Sequence, residues 1–289
     1  MKQLAEKLPP HAYFLTSALF HYLGPSFAVL LFAHLSPLGV AWLRIASAAL
    51  LFALWRNPAR TLARATPPAR RLILLLGLVL AAMNICFYLA IARLPLASVA
   101  AIEFAATIAV ALFGLRTLRN FTALALAVAG VFLLIGFEYA GDPLGLGFAF
   151  ANAILFALYI VVGHRLAAQG GASGITRLGA AMAVAFIVVS PIGLGNVATL
   201  LSHPLLILAG IGVGLSSSVI PYVCDQMAMA RLPRASFALM LSLLPAIAAV
   251  TGAIVLRQIP GPVDLAGILL VVLGVGLHRP VTVEQQPAA

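Results

Sequence analysis

Ten apolar runs follow one another along this chain, each close to the roughly 20 residues that a helix needs to cross a bilayer. They are predicted at 12–32, 36–55, 72–92, 96–114, 120–136, 145–163, 177–193, 204–228, 235–256 and 263–278. The gaps are short and carry helix stops: Arg56-Asn57-Pro58, Leu94-Pro95, Gly141-Asp142-Pro143, Gly170-Gly171 and Pro260-Gly261-Pro262. None of them has room for a soluble domain. The runs are continuous rather than alternating, and lipid accepts only helices or closed barrels as spanning structures. The expected fold class is an all-α integral membrane protein of about ten transmembrane helices.

Composition excludes the soluble alternatives. Charged residues are 8% of the 289, against roughly 25% in an ordinary soluble domain. So few charges cannot cover the outside of a water-soluble core this large. The net charge of +10 invites a nucleic-acid reading, but the Arg residues sit in gaps between apolar runs and form no single basic patch. The partners expected are therefore a lipid bilayer and a small-molecule substrate, with no nucleic acid. Oligomeric state is not legible.

Basic residues set the orientation. With the N-terminus inside, 14 of the Lys and Arg residues fall on the cytoplasmic side, among them Lys2, Lys7, Arg60, Arg116, Arg234 and Arg279. Arg93 and Arg257 fall outside, and Arg44 lies within the membrane. This positive-inside bias predicts that both termini are cytoplasmic. The first run is read as a retained helix: it is long for a signal-peptide core, and no small-x-small cleavage site is convincing.

The chain also reads as a duplication. A shift of 138 positions lays RLPLAS at 93–98 over RLPRAS at 231–236, and Cys86 over Cys224. Five helices per half is an odd number, so the halves must be inverted in the membrane. The expected units are a first five-helix repeat over 1–138, a second over 139–280 and a cytoplasmic tail over 281–289. Inverted repeats are an architecture of secondary transporters, with the substrate site near the midplane between the halves.

Against this apolar background a few polar residues stand out. Glu103 lies on a helical stripe of small or polar residues, Leu96, Ala100, Glu103, Thr107, Ala111 and Gly114, while Val99, Ile102, Leu112 and Phe113 fall elsewhere. Small residues let helices pack closely, so this face is expected to point into the bundle. An acid at mid-membrane costs roughly 2.5–3.5 kcal/mol on insertion scales, which argues for a function over a packing accident. Arg44 sits at about the same depth, some 10 Å below the outer surface at about 1.5 Å per residue. The two could pair as a tether between helices or contact substrate directly. An acid without a partner could carry a proton, whereas one beside Arg would act as a fixed charge.

Four further candidates are weaker. Asn84 and Tyr88 share one face of the third run with Gly77 and Ala81, at the level of Glu103, as ligands or as interhelical glue. His21 precedes Gly24-Pro25, where the first helix is expected to break, and serves either packing or a substrate or proton role. Asp225 lies near the cytoplasmic end of the eighth run, and the favoured reading has it reach the interface or pair with Arg231 or Arg234. Pro221 and Pro245 are expected kinks. Cys86 and Cys224 read as packing residues.

Catalytic constellations are missing. Lys occurs only at positions 2 and 7, so there is no phosphate-binding G-x-x-x-x-G-K-[ST] loop. HExxH and aspartate-rich diphosphate motifs are absent, and the six His are scattered. No catalytic residue, metal or cofactor is expected, and the chain is read as a non-enzyme. A membrane-embedded lipid-modifying enzyme is the disfavoured alternative, and a structural or assembly membrane protein would need no inverted repeat around an acid.

The segments MNICFYLAIARLPLASVAAIEFAATIAVALF at 83–113 and IPYVCDQMAMARLPRASFALMLSLLPAIAAVTG at 220–252 resemble EamA-type members of the drug/metabolite transporter superfamily. Within it they look most like bacterial threonine/homoserine exporters. The resemblance extends more weakly over the whole chain, including WLRIASAAL around Arg44. It implies a ten-helix inverted-repeat fold in the bacterial inner membrane, export of amino acids or related metabolites, and coupling to a proton or other ion gradient. It also implies functional roles for Arg44, Asn84, Tyr88, Glu103 and Asp225. Departures fall at Ala106-Thr107, where the pattern tends to have Gly-Pro, at Leu244, where an acid is frequent, and at Arg257-Gln258, in place of Gly-Glu. An exporter of cationic drugs, for which Glu103 alone would serve, is the alternative within transporters.

Overall fold

The computed structural model describes residues 9–112, 117–139, 142–167, 171–232 and 243–277. Among them there is no strand. Each of the ten apolar runs falls on helix: α1 (Pro10–Leu30), α2 (Pro37–Trp55), α4 (Pro67–Ile91), α5 (Leu96–Leu112), α6 (Leu118–Tyr139), α7 (Pro143–Ala167) and α8 (Gly171–Gly193) over the first seven. The eighth is composite, α10 (Pro204–Gly214), a π-helical segment Leu215–Val219 and α11 (Ile220–Met229). The last two carry α12 (Leu244–Leu256) and α13 (Pro262–Leu277), the start of the ninth run lying outside the described residues. Six of these helices are long and apolar enough to cross a membrane, Pro10–Ala33, Pro37–Trp55, Pro67–Ile91, Pro143–Ala167, Ser173–Gly193 and Pro204–Met229. This is a multi-pass membrane protein.

Two short helices occupy stretches that read as gaps: α3 (Pro58–Arg64) and α9 (Val197–Ser202). The connection after Trp55 is thus partly helical, started by Asn57, whose side chain accepts from the Arg60 amide at 2.9 Å. Similar local rules start the longer helices. Proline occupies the first position of α1, α2, α4, α7 and α10, where its missing N–H costs nothing. Ser36 accepts from the Gly39 amide at 3.1 Å, and Asp142 from the Gly145 amide at 2.8 Å. At the far end of α12, Arg257 adopts a left-handed conformation (φ 57°) and stops the helix.

Helix α4 packs on α7 and α8, and α2 on α8 and α10. Helix α1 packs on α11 and α12, α5 on α6, α7 and α12, and α13 on α6 and α12. Outward-facing apolar side chains such as Leu54 (78% exposed) and Ile254 (75%) belong to the lipid-facing surface that such a bundle requires.

Two expectations need correction. The break at Gly24-Pro25 is not there: α1 runs through Pro25, whose absent N–H removes one hydrogen bond, to the His21 carbonyl, without ending the helix. Glycine at 24 instead allows close contact, since a Cβ there would lie 2.5 Å from Ser217 Cβ and 2.7 Å from its backbone. The face argument for α5 is also too narrow. Leu96, Ala100 and Glu103 are buried, but so are Val99, Ile102 and Phe104, because α5 runs through the middle of the bundle with neighbours on every side. The side chains of Thr107 and Ala111, and Gly114, lie outside the description, as do Arg234 and the chain ends.

Candidate functional site

Several buried polar residues of the bundle line two small cavities. The first is lined by Arg44 from α2, Asn84 from α4, Glu103 from α5, Asn152 from α7 and Tyr222 from α11, with His21 and Phe156 among the remaining walls. Its volume is about 10 Å³, room for about one water molecule. Arg44 and Glu103, separated by 59 positions in sequence, thus meet at one site, both buried.

A guanidinium in this setting has to be surrounded by acceptors, because burial strips its hydration. Arg44 Nε donates to Ser218 Oγ at 2.8 Å, and Nη2 donates to the Ser217 carbonyl and to Tyr222 Oη at 3.4 Å. Its Cζ lies over the Tyr88 ring, 5.6 Å from the centroid. Both serines lie in the π-helical segment. The wider turn there presents a backbone carbonyl sideways, which a regular α-helix would keep for itself.

Glu103 accepts from Asn152 Nδ2 at 3.1 Å. Asn84 Nδ2 donates back to the Leu80 carbonyl of its own helix at 2.8 Å, so its Oδ1 remains as a buried acceptor on the cavity wall. Arg44 and Glu103 thus share one cavity wall, a placement compatible with both readings of their matched depth, a tether between helices or a joint contact with substrate. Arg93 and Asp142 form an ion pair at 3.7 Å.

The second cavity, also about 10 Å³, is lined by Ser17 from α1, Tyr159 from α7 and Asp225 from α11, with apolar walls that include Phe14 and Met229. Asp225 is buried and accepts from Ser17 Oγ and from Tyr159 Oη, the latter at 3.0 Å. That sets it inside the bundle and not at the interface, the first of its favoured readings; the other is a pairing with Arg231 or Arg234. Arg231 lies over the Tyr13 ring, 5.4 Å from the centroid, and Arg234 is outside the described residues. His21 lines both cavities, its ring 5.8 Å from that of Phe156 and 6.5 Å from that of Tyr222.

All six sequence candidates are therefore internal. Glu103, Arg44, Asn84 and His21 line the first cavity, Tyr88 backs Arg44 from behind, and Asp225 holds the second. Sequence reasoning missed Asn152, Tyr222, Ser17 and Tyr159. Asn152 carried a signal, as the one amide in an apolar run; the hydroxyl residues carried none, being common in membrane helices.

A third hollow, about 210 Å³, lies near the ends of α5 and α13, lined in part by Ser98, Leu134, Gly252, Gln258 and Asp264. Gln258 accepts there from the Leu96 amide at 3.2 Å. Among the described residues no group of three or more His, Cys, Asp or Glu comes together as a metal site would require.

Comparison with known proteins gives a consistent result. The EamA-like transporter family model matches residues 143–278. The threonine/homoserine exporter RhtA of Salmonella typhimurium (strain LT2) is 31% identical over 267 residues, 91% of this chain and 88% of that protein. RhtA of Escherichia coli (strain K12) is 34% identical over 245 residues, 84% of this chain and 81% of that one. A crystal structure of a protein with 16% identity superposes with a TM-score of 0.58, covering 92% of this chain and 96% of the other, a likeness of fold alone.

Proposed function

We propose that this chain, which belongs to the EamA-like transporter family, is a secondary active exporter of small metabolites. Its substrates in this reading are amino acids of the threonine and homoserine kind, carried across the bacterial inner membrane by alternating access. The observation that carries this reading is the burial of Arg44 and Glu103 on the wall of one cavity within the membrane bundle. A zwitterionic amino acid presents one carboxylate and one ammonium. Arg44 offers the charge for the first and Glu103 for the second, while Asn84 Oδ1 and Asn152 supply further polar contacts.

The cavity holds about one water, so a closed bundle fits no amino acid. Binding requires the halves to part on one side and then the other. Two inverted five-helix repeats, 1–138 and 139–280 with the tail 281–289 beyond them, are suited to this motion. Support comes from the helix pairings, which fall into matched couples under the 138-residue shift. Helix α4 packs on α7 as α11 packs on α1, and α5 on α7 as α12 on α1. Likewise α4 packs on α8 as α10 on α2, and α5 on α6 as α12 on α13. The same shift carries α3 to positions 196–202, where α9 lies. No cofactor is invoked: the driving force is a proton or other ion gradient.

The deciding experiment is efflux of labelled threonine and homoserine from loaded vesicles under an imposed pH gradient, for the intact protein and for Glu103→Gln. Gradient-driven efflux abolished by the substitution, with the protein still inserted, is the expected result. Efflux that survives unchanged would remove Glu103 from the substrate site. Absence of amino-acid efflux, with efflux of a cationic dye in its place, would favour the drug-exporter alternative.

A further inference from the structure

We infer that Asp225, with Ser17 and Tyr159, is a proton-binding site separate from the substrate cavity, and that it couples transport to the proton gradient. The inference rests on the exporter reading above and names the coupling ion and its place. Three helices carry residues of both cavities, and on each the second lies about one turn further in the same direction. Ser17 is four positions from His21 toward the N-terminus of α1. Tyr159 is three beyond Phe156 on α7, and Asp225 three beyond Tyr222 on α11. At about 1.5 Å per residue the two sites are stacked roughly 5 Å apart along the bundle axis. His21 and Phe156 form the wall they share.

The second site has the chemistry of a proton acceptor and not of an amino-acid pocket. It has one carboxylate and neither Lys nor Arg on its walls, and apart from His21 and the two hydroxyls its walls are apolar. The two carboxylate oxygens of Asp225 each accept from a neutral hydroxyl. A hydroxyl can accept as well as donate. When a hydronium or water in the cavity gives its proton to Asp225, one O–H bond breaks, one forms, and a water or hydroxide stays behind. The new carboxyl O–H then points at Ser17 or Tyr159, whose own hydroxyl proton turns away, so neither charge state strands a buried polar group. The space of about one water suits that reaction.

The titratable and charged groups on the elements packed around Asp225 are few. Helix α1 brings His21 to the shared wall and also carries His11, Tyr13 and Tyr22; α7 brings Tyr159 and carries His164 and Arg165 in its last turn; and α11 itself carries Tyr222 and Cys224. Helix α8 contributes one charged residue, Arg177, and the π-helical segment none.

Two transport modes separate coupling from substrate binding. Threonine exchange at equal concentrations needs the substrate cavity but no gradient, whereas export against a threonine gradient driven by pH needs both. Asp225→Asn is expected to keep exchange while losing driven export at least ~10-fold, and Glu103→Gln to lose both. Tyr159→Phe, which keeps the carboxylate, is expected to keep exchange and move the pH midpoint of driven export. Undiminished driven export in Asp225→Asn would overturn the proposal, as would equal loss of both modes or drive by a sodium gradient alone. Should the intact protein exchange no amino acid, the exporter reading fails on its own terms. Infrared difference spectra across a pH titration then decide the site. A carboxyl protonation band absent from Asp225→Asn sustains it, and a band unchanged in that variant overturns it.

Discussion

Arg44 shows what a single residue contributes here. Its guanidinium engages Ser217, Ser218 and Tyr222 and lies over the face of Tyr88, a set of contacts that a point-charged ammonium cannot reproduce. Arg44→Lys, which conserves charge, is accordingly expected to lower threonine export by ~10-fold or more while the protein still inserts, measured as efflux per inserted molecule. At this scale the sequence was informative where chemistry is rare. One acid and one base in apolar helices stood out by cost alone, and both reached the same cavity. Their partners did not stand out. Which carbonyl Arg44 reaches depends on a helix 173 positions away, and no local pattern encodes that meeting.

At the scale of elements, the π-helical segment Leu215–Val219 joins two roles. It gives Arg44 a carbonyl, and it takes the close approach of Gly24 from α1. Replacing Gly24 by Ala drives a methyl into Ser217 and is expected to cost roughly 1–3 kcal/mol, read as a lower unfolding temperature in detergent. Gly147→Ala is the control: nothing lies within 4 Å of the added carbon, and stability should hold or rise. Helix positions were legible because apolar length and proline starts are local signals. The uninterrupted α1, the π-helical segment and the short helices α3 and α9 were not, since each depends on what packs against the chain. Pro25 is compatible with a break or a continuous helix, and the neighbours decide.

For the molecule as a whole, the duplication proposed from the RLPxAS blocks has support in the matched couples of packed helices. The orientation derived from basic residues predicts opposite exposure for two sites. In a background with Cys86 and Cys224 replaced by Ser, Asp142→Cys should react with a membrane-impermeant maleimide in intact cells. Arg60→Cys should react only after permeabilisation. The reverse pattern would turn the topology over. Finally, each internal cavity admits about one water, and Phe156 and His21 stand between them. A file of hydrogen-bonded waters, the usual conductor of protons, therefore cannot run through these two chambers in the closed bundle. Under the exporter reading proposed above, the closed bundle is expected to insulate the membrane, so that a gradient across it runs down only in company with cargo.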